Sequence, residues 1–232
     1  EVNILWLGHS GFRIEIGDCV LLVDPWFSGN PMFPAEMRDA AIDGVTHILL
    51  THGHGDHTTD ALPIAKEKDV PIVGIYDLIS WWQAKHEVKG IGFNKGGTVT
   101  LGEGVTATLT NAVHSSSVEG PDGPVYVGAE AGFVIKGEGH AIYVSGDTDV
   151  MADMAVIAAR HAPDIGILCA GGHFTMDMEG AAWAAKTHFD FKTVIPCHYR
   201  TFPLLAQNAD VLKAALPGVD VVEPQVMVPI SI

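Results

Sequence analysis

The stretch Thr51-His52-Gly53-His54-Gly55-Asp56-His57 decides how this chain is read. Three imidazoles and a carboxylate fall within six residues, directly after the apolar run Ile48-Leu49-Leu50, which has the character of a buried strand. Two glycines separate the ligand-type residues. Glycine's access to positive φ predicts a tight strand-to-helix turn on which the side chains converge. Neutral imidazole and carboxylate suit zinc, and also manganese or iron. The bland alternative is a polar loop rich in histidine. It would leave buried imidazoles unpaired, which destabilises a fold without a return.

Working outward, Val45–Leu50 is the strand that feeds this loop, and Thr58, Thr59 or Asp60 is placed to cap a helix running to about Lys68. Pro63 is tolerated only in the first turn of that helix. Upstream, Asn3–Leu7, Phe12–Ile16 and Val20–Val23 read as strands, the last two turned at Gly17-Asp18. Antiparallel strands before any helix argue against a Rossmann unit, and no Gly-x-Gly-x-x-Gly motif or phosphate loop follows a strand. Residues Pro25–Asp39 form a long loop rich in aromatic residues and methionine, a flap on the core or a wall of a site.

Downstream, strands are expected at Val70–Ile75, Thr98–Leu101, Val105–Asn111, Ala131–Ile135, Ala141–Val144, Ile165–Cys169 and Thr193–Ile195. Residues Val118–Pro124 form a hairpin or loop. Helices are expected at Tyr76–Glu87, up to about His161, after an Asp177 N-cap to about Phe189, and over Leu204–Leu216. Val219–Val222 and Val226–Ile232 close the sheet. No linker or low-complexity segment interrupts the 232 residues, so one domain is expected over 1–232. The order of elements predicts an α/β fold of two sheets face to face with helices outside.

An apolar fraction of 47% supports a sizeable core, and a net charge of −15 argues against a nucleic-acid surface. A small-molecule substrate is expected, anionic ones included, because two divalent ions would reverse the local field. The sequence is compatible with a homo-oligomer. Cys19, Cys169 and Cys197 are scattered and odd in number, which implies no disulfide framework and suits a reducing cytoplasm. The opening Glu1-Val2-Asn3 shows no charged-then-apolar leader, the absent initiator Met points to trimming, and no apolar run approaches the ~20 residues of a membrane span.

Each ligand-type residue follows a strand: His52, His54, Asp56 and His57 after one, then His114, Asp147 and His198 each after another. Seven such residues exceed what one tetrahedral ion uses and fit two ions sharing a bridging carboxylate. The pattern His-x-His-x-Asp-His, a distant His, a Gly-Asp after a strand and a late His resembles the metallo-β-lactamase superfamily over nearly the whole chain. Trp6-Leu7-Gly8-His9-Ser10, Asp24-Pro25, Gly172-His173-Phe174-Thr175-Met176 and His198-Tyr199-Arg200-Thr201-Phe202-Pro203 narrow the resemblance. It is to bacterial and archaeal metal-dependent hydrolases without assigned substrate, related to ascorbate-6-phosphate lactonase and more distantly to N-acylphosphatidylethanolamine phospholipase D enzymes. The resemblance implies a four-layer αββα sandwich with the dinuclear site at one sheet edge. It implies that His52, His54 and His114 hold one ion, that Asp56, His57 and His198 hold the other, and that Asp147 bridges. Aspartate rather than cysteine at 147 argues against a dedicated β-lactamase.

The expected reaction is attack by metal-bound hydroxide on an ester, lactone or phosphodiester-type bond, zinc being the first choice of metal. A non-catalytic metal-binding sensor or scaffold and a di-iron redox protein are the alternatives. Asp56 is expected to orient the nucleophile as well as bind metal. His9 and His173 are candidates for protonating a leaving group, binding substrate or completing a metal shell, the plain alternative for each being a hydrogen-bonded structural histidine. Asp24 is a candidate to hold a ligand imidazole from behind or to form a simple Asp-Pro turn, Tyr199 to donate to an oxyanion or simply to pack, and Arg200 to bind an anionic group. Ser10 and Ser115–Ser117 lack a base partner, which argues against a serine nucleophile.

Overall fold

The computed structural model describes residues 1–232. Two seven-stranded sheets pack face to face around one cluster of buried apolar side chains, with helices on the outside. This is the αββα sandwich.

The first sheet is built from β1 (Val2–Trp6), β2 (Phe12–Ile16), β3 (Cys19–Val23), β4 (His47–Leu50), β5 (Ile72–Ile75), β6 (Gly90–Phe93) and a C-terminal β16 (Ile230–Ser231). Its order is β16-β1-β2-β3-β4-β5-β6. Pairing is antiparallel up to β3 and parallel from β3 to β6. The change follows from the connections. Gly17-Asp18 can turn a hairpin, whereas β3 to β4 and β4 to β5 are crossovers carrying helices. These are α1 (Arg38–Ile42) on the first crossover, and α2 (Gly55–Thr58) and α3 (Ala61–Lys68) on the second.

The second sheet contains β7 (Thr98–Gly102), β8 (Val105–Asn111), β11 (Ala131–Gly137), β12 (His140–Val144), β13 (Ile165–Cys169), β14 (Thr193–Cys197) and β15 (Asp220–Val221), in the order β15-β14-β13-β12-β11-β8-β7. Here the antiparallel strands come first in the chain and the parallel ones last. A detached hairpin, β9 (Ser117–Gly120) with β10 (Gly123–Tyr126), lies between β8 and β11 in sequence. The remaining helices are α4 (Tyr76–His86), α5 (Asp153–His161), α6 (Met178–His188) and α7 (Asp210–Ala215).

Three local expectations are corrected and one strand has no counterpart in the sequence reading. The helix expected over Leu204–Leu216 is confined to α7, because Pro203 and the turns before Asp210 take up the rest. Asp60 does not cap α3 with its side chain; it accepts instead from the Phe27 and Ser28 backbone N–H groups at 2.6 and 3.0 Å, pinning the Pro25–Asp39 loop. Strand β6 escapes a pattern reading because Gly90 and Gly92 depress strand propensity, yet a Cβ at Gly90 would press into Ile79 and Gln83 of α4. Gly53 and Gly55 are not at positive φ. Gly53 is needed for closeness: a Cβ there would collide with Val127 beside the hairpin.

Asp177, by contrast, caps α6 as its position suggests, accepting from Gly180 N at 2.7 Å. Trp82 is buried and Trp81 half-buried against the core, and Cys197 is part of the core cluster. No helix is long and apolar enough to cross a membrane.

Candidate metal centre

The parallel strands of both sheets release their chains at one end of the sandwich, and there the ligand-type residues meet. His52 and His54 follow β4, and His57 lies in α2, whose single turn sets Asp56 and His57 side by side. His114 follows β8, Asp147 follows β12 and His198 follows β14. The ligand atoms of His52, His54 and His114 lie within 4.8 Å of one another, and so do those of His9, Asp56, His57 and His198.

Asp147 stands between the two groups. Its Oδ2 is 3.1 Å from Nε2 of both His57 and His198, 3.5 Å from Nε2 of His114 and 3.7 Å from Nε2 of His52. Its other oxygen, Oδ1, is buried with no hydrogen-bond partner. Such a concentration of lone-pair atoms, with one oxygen unpartnered, suits a cation.

The imidazoles are aimed from behind. Asp24 accepts from Thr51 N at 2.9 Å, from the Thr51 hydroxyl at 2.6 Å and from His57 Nδ1 at 2.7 Å. The Thr51 hydroxyl in turn accepts from His52 Nδ1 at 2.9 Å. One buried carboxylate thus fixes two rings with Nδ1 protonated and Nε2 turned to the cavity, where His57 meets Asp147 and His52 meets His54. His54 is reversed. Its Nε2 faces the Ser115 hydroxyl at 3.3 Å while Nδ1 approaches His52 Nε2 at 3.1 Å. Thr51 and Ser115 carry no signal of such roles in a sequence beyond their place next to a ligand.

His9 is fully buried. Its Nε2 donates to Asp56 Oδ2 at 2.7 Å, so Nδ1 must accept, and the Thr201 hydroxyl lies 2.7 Å from it. The His9 carbonyl accepts from His198 N at 2.9 Å, tying the first loop to the last. His9 therefore steers Asp56 from within and does not reach the cleft. Thr201 is its unforeseen partner.

Burial pulls the His9 pKa down to about 4, against the pull of Asp56, so the ring is neutral. Burial also opposes a charge on His57 and His198, but Asp147 and its neighbouring carboxylates outweigh it. His57 is raised well above the ordinary range and His198 to about 9. Asp56 and Asp147 are held far below the carboxylate range despite their burial, through His57 and His198. In the metal-free protein these two imidazoles carry the protons that a bound cation would displace.

Three candidates do not face the cleft. Tyr199 is fully buried, stacked on Trp6 with ring centroids 5.7 Å apart, and has no access to the cleft. His198 and Arg200 both have left-handed backbones, φ 56 and 67°, and the chain reverses on either side of Tyr199. Arg200 is exposed outside the cleft, its charge acting on Tyr199 and Glu223. His173, at φ 62°, sets its ring edge-on to Phe174 and does not line the cleft; Phe174 does. Asp24 and His9 are left-handed too, at φ 46 and 56°, so five non-glycine residues of this kind crowd these loops. Gly171 allows the closest packing among them, since a Cβ there would overlap the His198 carbonyl.

Above the ligand atoms opens a cleft of about 460 Å³, lined by Trp26, His54, Asp56, His114, Ser115, Asp147, Phe174, His198 and Phe202. The Pro25–Asp39 loop serves both of its expected uses: Phe27 and Phe33 stack in the core, and Trp26 forms wall.

This fold and this convergence of loops are those of the metallo-β-lactamase superfamily, and the chain belongs to it: residues 20–199 match the family model described as beta-lactamase superfamily domain. Within it, the chain belongs to the UPF0173 metal-dependent hydrolases. It is 67% identical over 231 residues to the member from Paracoccus denitrificans (strain Pd 1222), covering 100% of both chains. It is 66% identical to the member from Dinoroseobacter shibae (strain DSM 16493 / NCIMB 14021 / DFL 12), with 97% of this chain and 98% of that one covered. Among solved structures it is similar to Igni18, a metallo hydrolase from the archaeon Ignicoccus hospitalis KIN4/I, with a TM-score of 0.87, 30% identity, and 99% and 97% of the two chains covered.

Proposed function

We propose that the 232-residue chain acts as one unit that hydrolyses an ester, lactone or phosphodiester-type bond of a small molecule with the help of two divalent ions, zinc first among them, in the cytoplasm. The observation that carries this reading is the position of Asp147 Oδ2, within 3.1 to 3.7 Å of four imidazole nitrogens beneath an open cleft.

His52, His54 and His114 would hold one ion, Asp56, His57 and His198 the other, and Asp147 would touch both. When bound, such a pair supplies a nucleophile ionised near neutral pH and neutralises the charge that develops on the substrate oxygen. The protein's own contribution is geometric. Asp24 and Thr51 keep two ligand rings in one tautomer. Neutral His9 donates to Asp56 Oδ2 and leaves the other oxygen of that carboxylate free to accept a proton from the attacking group. No histidine outside the ligand set lines the cleft, so the leaving group draws its proton from Asp56 or from solvent.

The test is a panel of lactones, p-nitrophenyl esters and phosphodiesters assayed with zinc or manganese, with metal content measured on the same samples. Turnover that tracks metal content is expected. Full occupancy with no turnover on any substrate would sink the hydrolase reading in favour of a metal-binding role.

A further inference from the structure

We propose that the cleft selects substrates whose group beside the reacting bond is neutral and apolar, an aromatic or bulky acyl group, and that Trp26, Phe174 and Phe202 are its specificity-determining residues. The inference rests on the hydrolase reading above and names the substrate class of the same site.

Of the nine residues lining the cleft, three are aromatic and none is lysine or arginine. The cation nearest in sequence, Arg200, is exposed outside it. An anionic tail on a substrate would therefore meet apolar rings, with no lysine or arginine to hold it, while the positive charge of the site would sit with the metal ligands beneath, at the reacting bond rather than along the tail.

The rings form a surface rather than isolated contacts. Trp26 and Phe202 have centroids 6.2 Å apart, and both make edge-to-face contacts with His9, at 5.2 and 5.6 Å. The Trp26 Nε1–H is spent on the Ser28 carbonyl at 2.9 Å, so the indole offers no donor to a ligand. Phe174 comes from a separate loop. It is 49% exposed and lies outside the core cluster, yet its backbone is tied, with Phe174 N donating to Gly172 O at 2.7 Å. A half-exposed phenyl beside a polar site contributes little to stability and is suited to covering a ligand. A volume of about 460 Å³ accommodates a ring together with its carbonyl.

The test compares three hydroxamates that share a metal-seeking head: acetohydroxamate, phenylacetohydroxamate and the mono-hydroxamate of succinate. Their affinities for the zinc-loaded protein are measured by calorimetry. The phenyl compound is expected to bind about 10-fold tighter than the methyl compound, from burial of the ring, and the succinyl compound no tighter than the methyl one. Phe174→Ala, at an exposed position outside the core, is expected to reduce the phenyl preference several-fold, and Phe174→Leu to restore part of it. Equal affinities, or a preference for the carboxylate tail, overturn the substrate class while leaving the metal site standing. Failure of all three to bind the zinc-loaded protein overturns the site reading and this inference with it.

Discussion

A single short histidine–carboxylate contact sits at the start of strands β12 and β13, and a crowd of them fills the loops at the opposite end of the sandwich. At the strands' start His140 Nδ1 meets Asp164 Oδ2 at 2.6 Å, both half-exposed, and Asp164 also accepts from Ala141 N at 2.8 Å. At the opposite end, His57 Nδ1 meets Asp24 Oδ2 at 2.7 Å, both almost fully buried. The contacts are nearly equal in length and differ in consequence. Asp164 clamps the start of two parallel strands, and nothing converges on the other nitrogen of His140. Asp24 fixes a ring whose other nitrogen faces Asp147. Distance alone does not mark a metal ligand; what the second ring nitrogen faces does.

The sharpest way to break this contrast is to remove the centre of the crowd. Asp147→Ala is expected to lower metal content and catalytic efficiency together, activity by roughly 1000-fold, measured by elemental analysis and steady-state kinetics. Retention of two ions per chain would refute the bridging position. Next in size, Asp24→Asn is expected to weaken metal affinity by about 100-fold, read by competition with a chelator. Asp164→Asn, its counterpart at the other end, should leave affinity unmoved and change unfolding free energy by at most ~1 kcal/mol. Equal effects from the two variants would erase the distinction.

A smaller effect is expected at His9. His9→Ala frees Asp56 from one side and should reduce kcat by about 10-fold, with His9→Gln recovering part of it. An unchanged rate in the alanine variant would show that Asp56 needs no such support.

The smallest effect is one of pH. The folded pKa of His198 is raised to about 9 from an ordinary 6.5, and that of His57 is raised as well. The stabilisation they give the metal-free protein is complete below pH 6.5 and fades as pH rises through 9. The melting temperature of metal-free protein should therefore fall by a few degrees across that interval relative to zinc-loaded protein, in which these protons are absent. A constant gap between the two would contradict the proton-for-metal exchange.

Much of this was legible in the chain. Hydrophobic runs that end in His, Asp or Gly-Asp placed β4, β8, β12 and β14 together with the residues they deliver. Four of the ligand-type residues sit within six positions, where local spacing carries the signal. His114, Asp147 and His198 are single residues in separate loops and become a set only through the fold. What escaped depends on side-chain direction. Tyr199 and Arg200 adjoin His198 in sequence, but left-handed backbone on either side of Tyr199 sends one ring into the core and leaves the guanidinium outside the cleft. Thr201 and Thr51 gain their roles only through partners that the fold supplies, one 192 positions away and the other 27. The aromatic rim was visible as composition in the Pro25–Asp39 loop but not as a surface shared with Phe174 and Phe202.

The left-handed backbones of His9, Asp24 and His198 have an energetic consequence. Each holds a residue with a Cβ in a conformation that disfavours it by roughly 1 kcal/mol or more. Replacing any of them by glycine would relax the chain while deleting a side chain from the centre. That relief competes with the loss of buried contacts, such as those of Asp24 with Thr51 and His57, so these positions hold backbone strain only because the side chains they carry outweigh it.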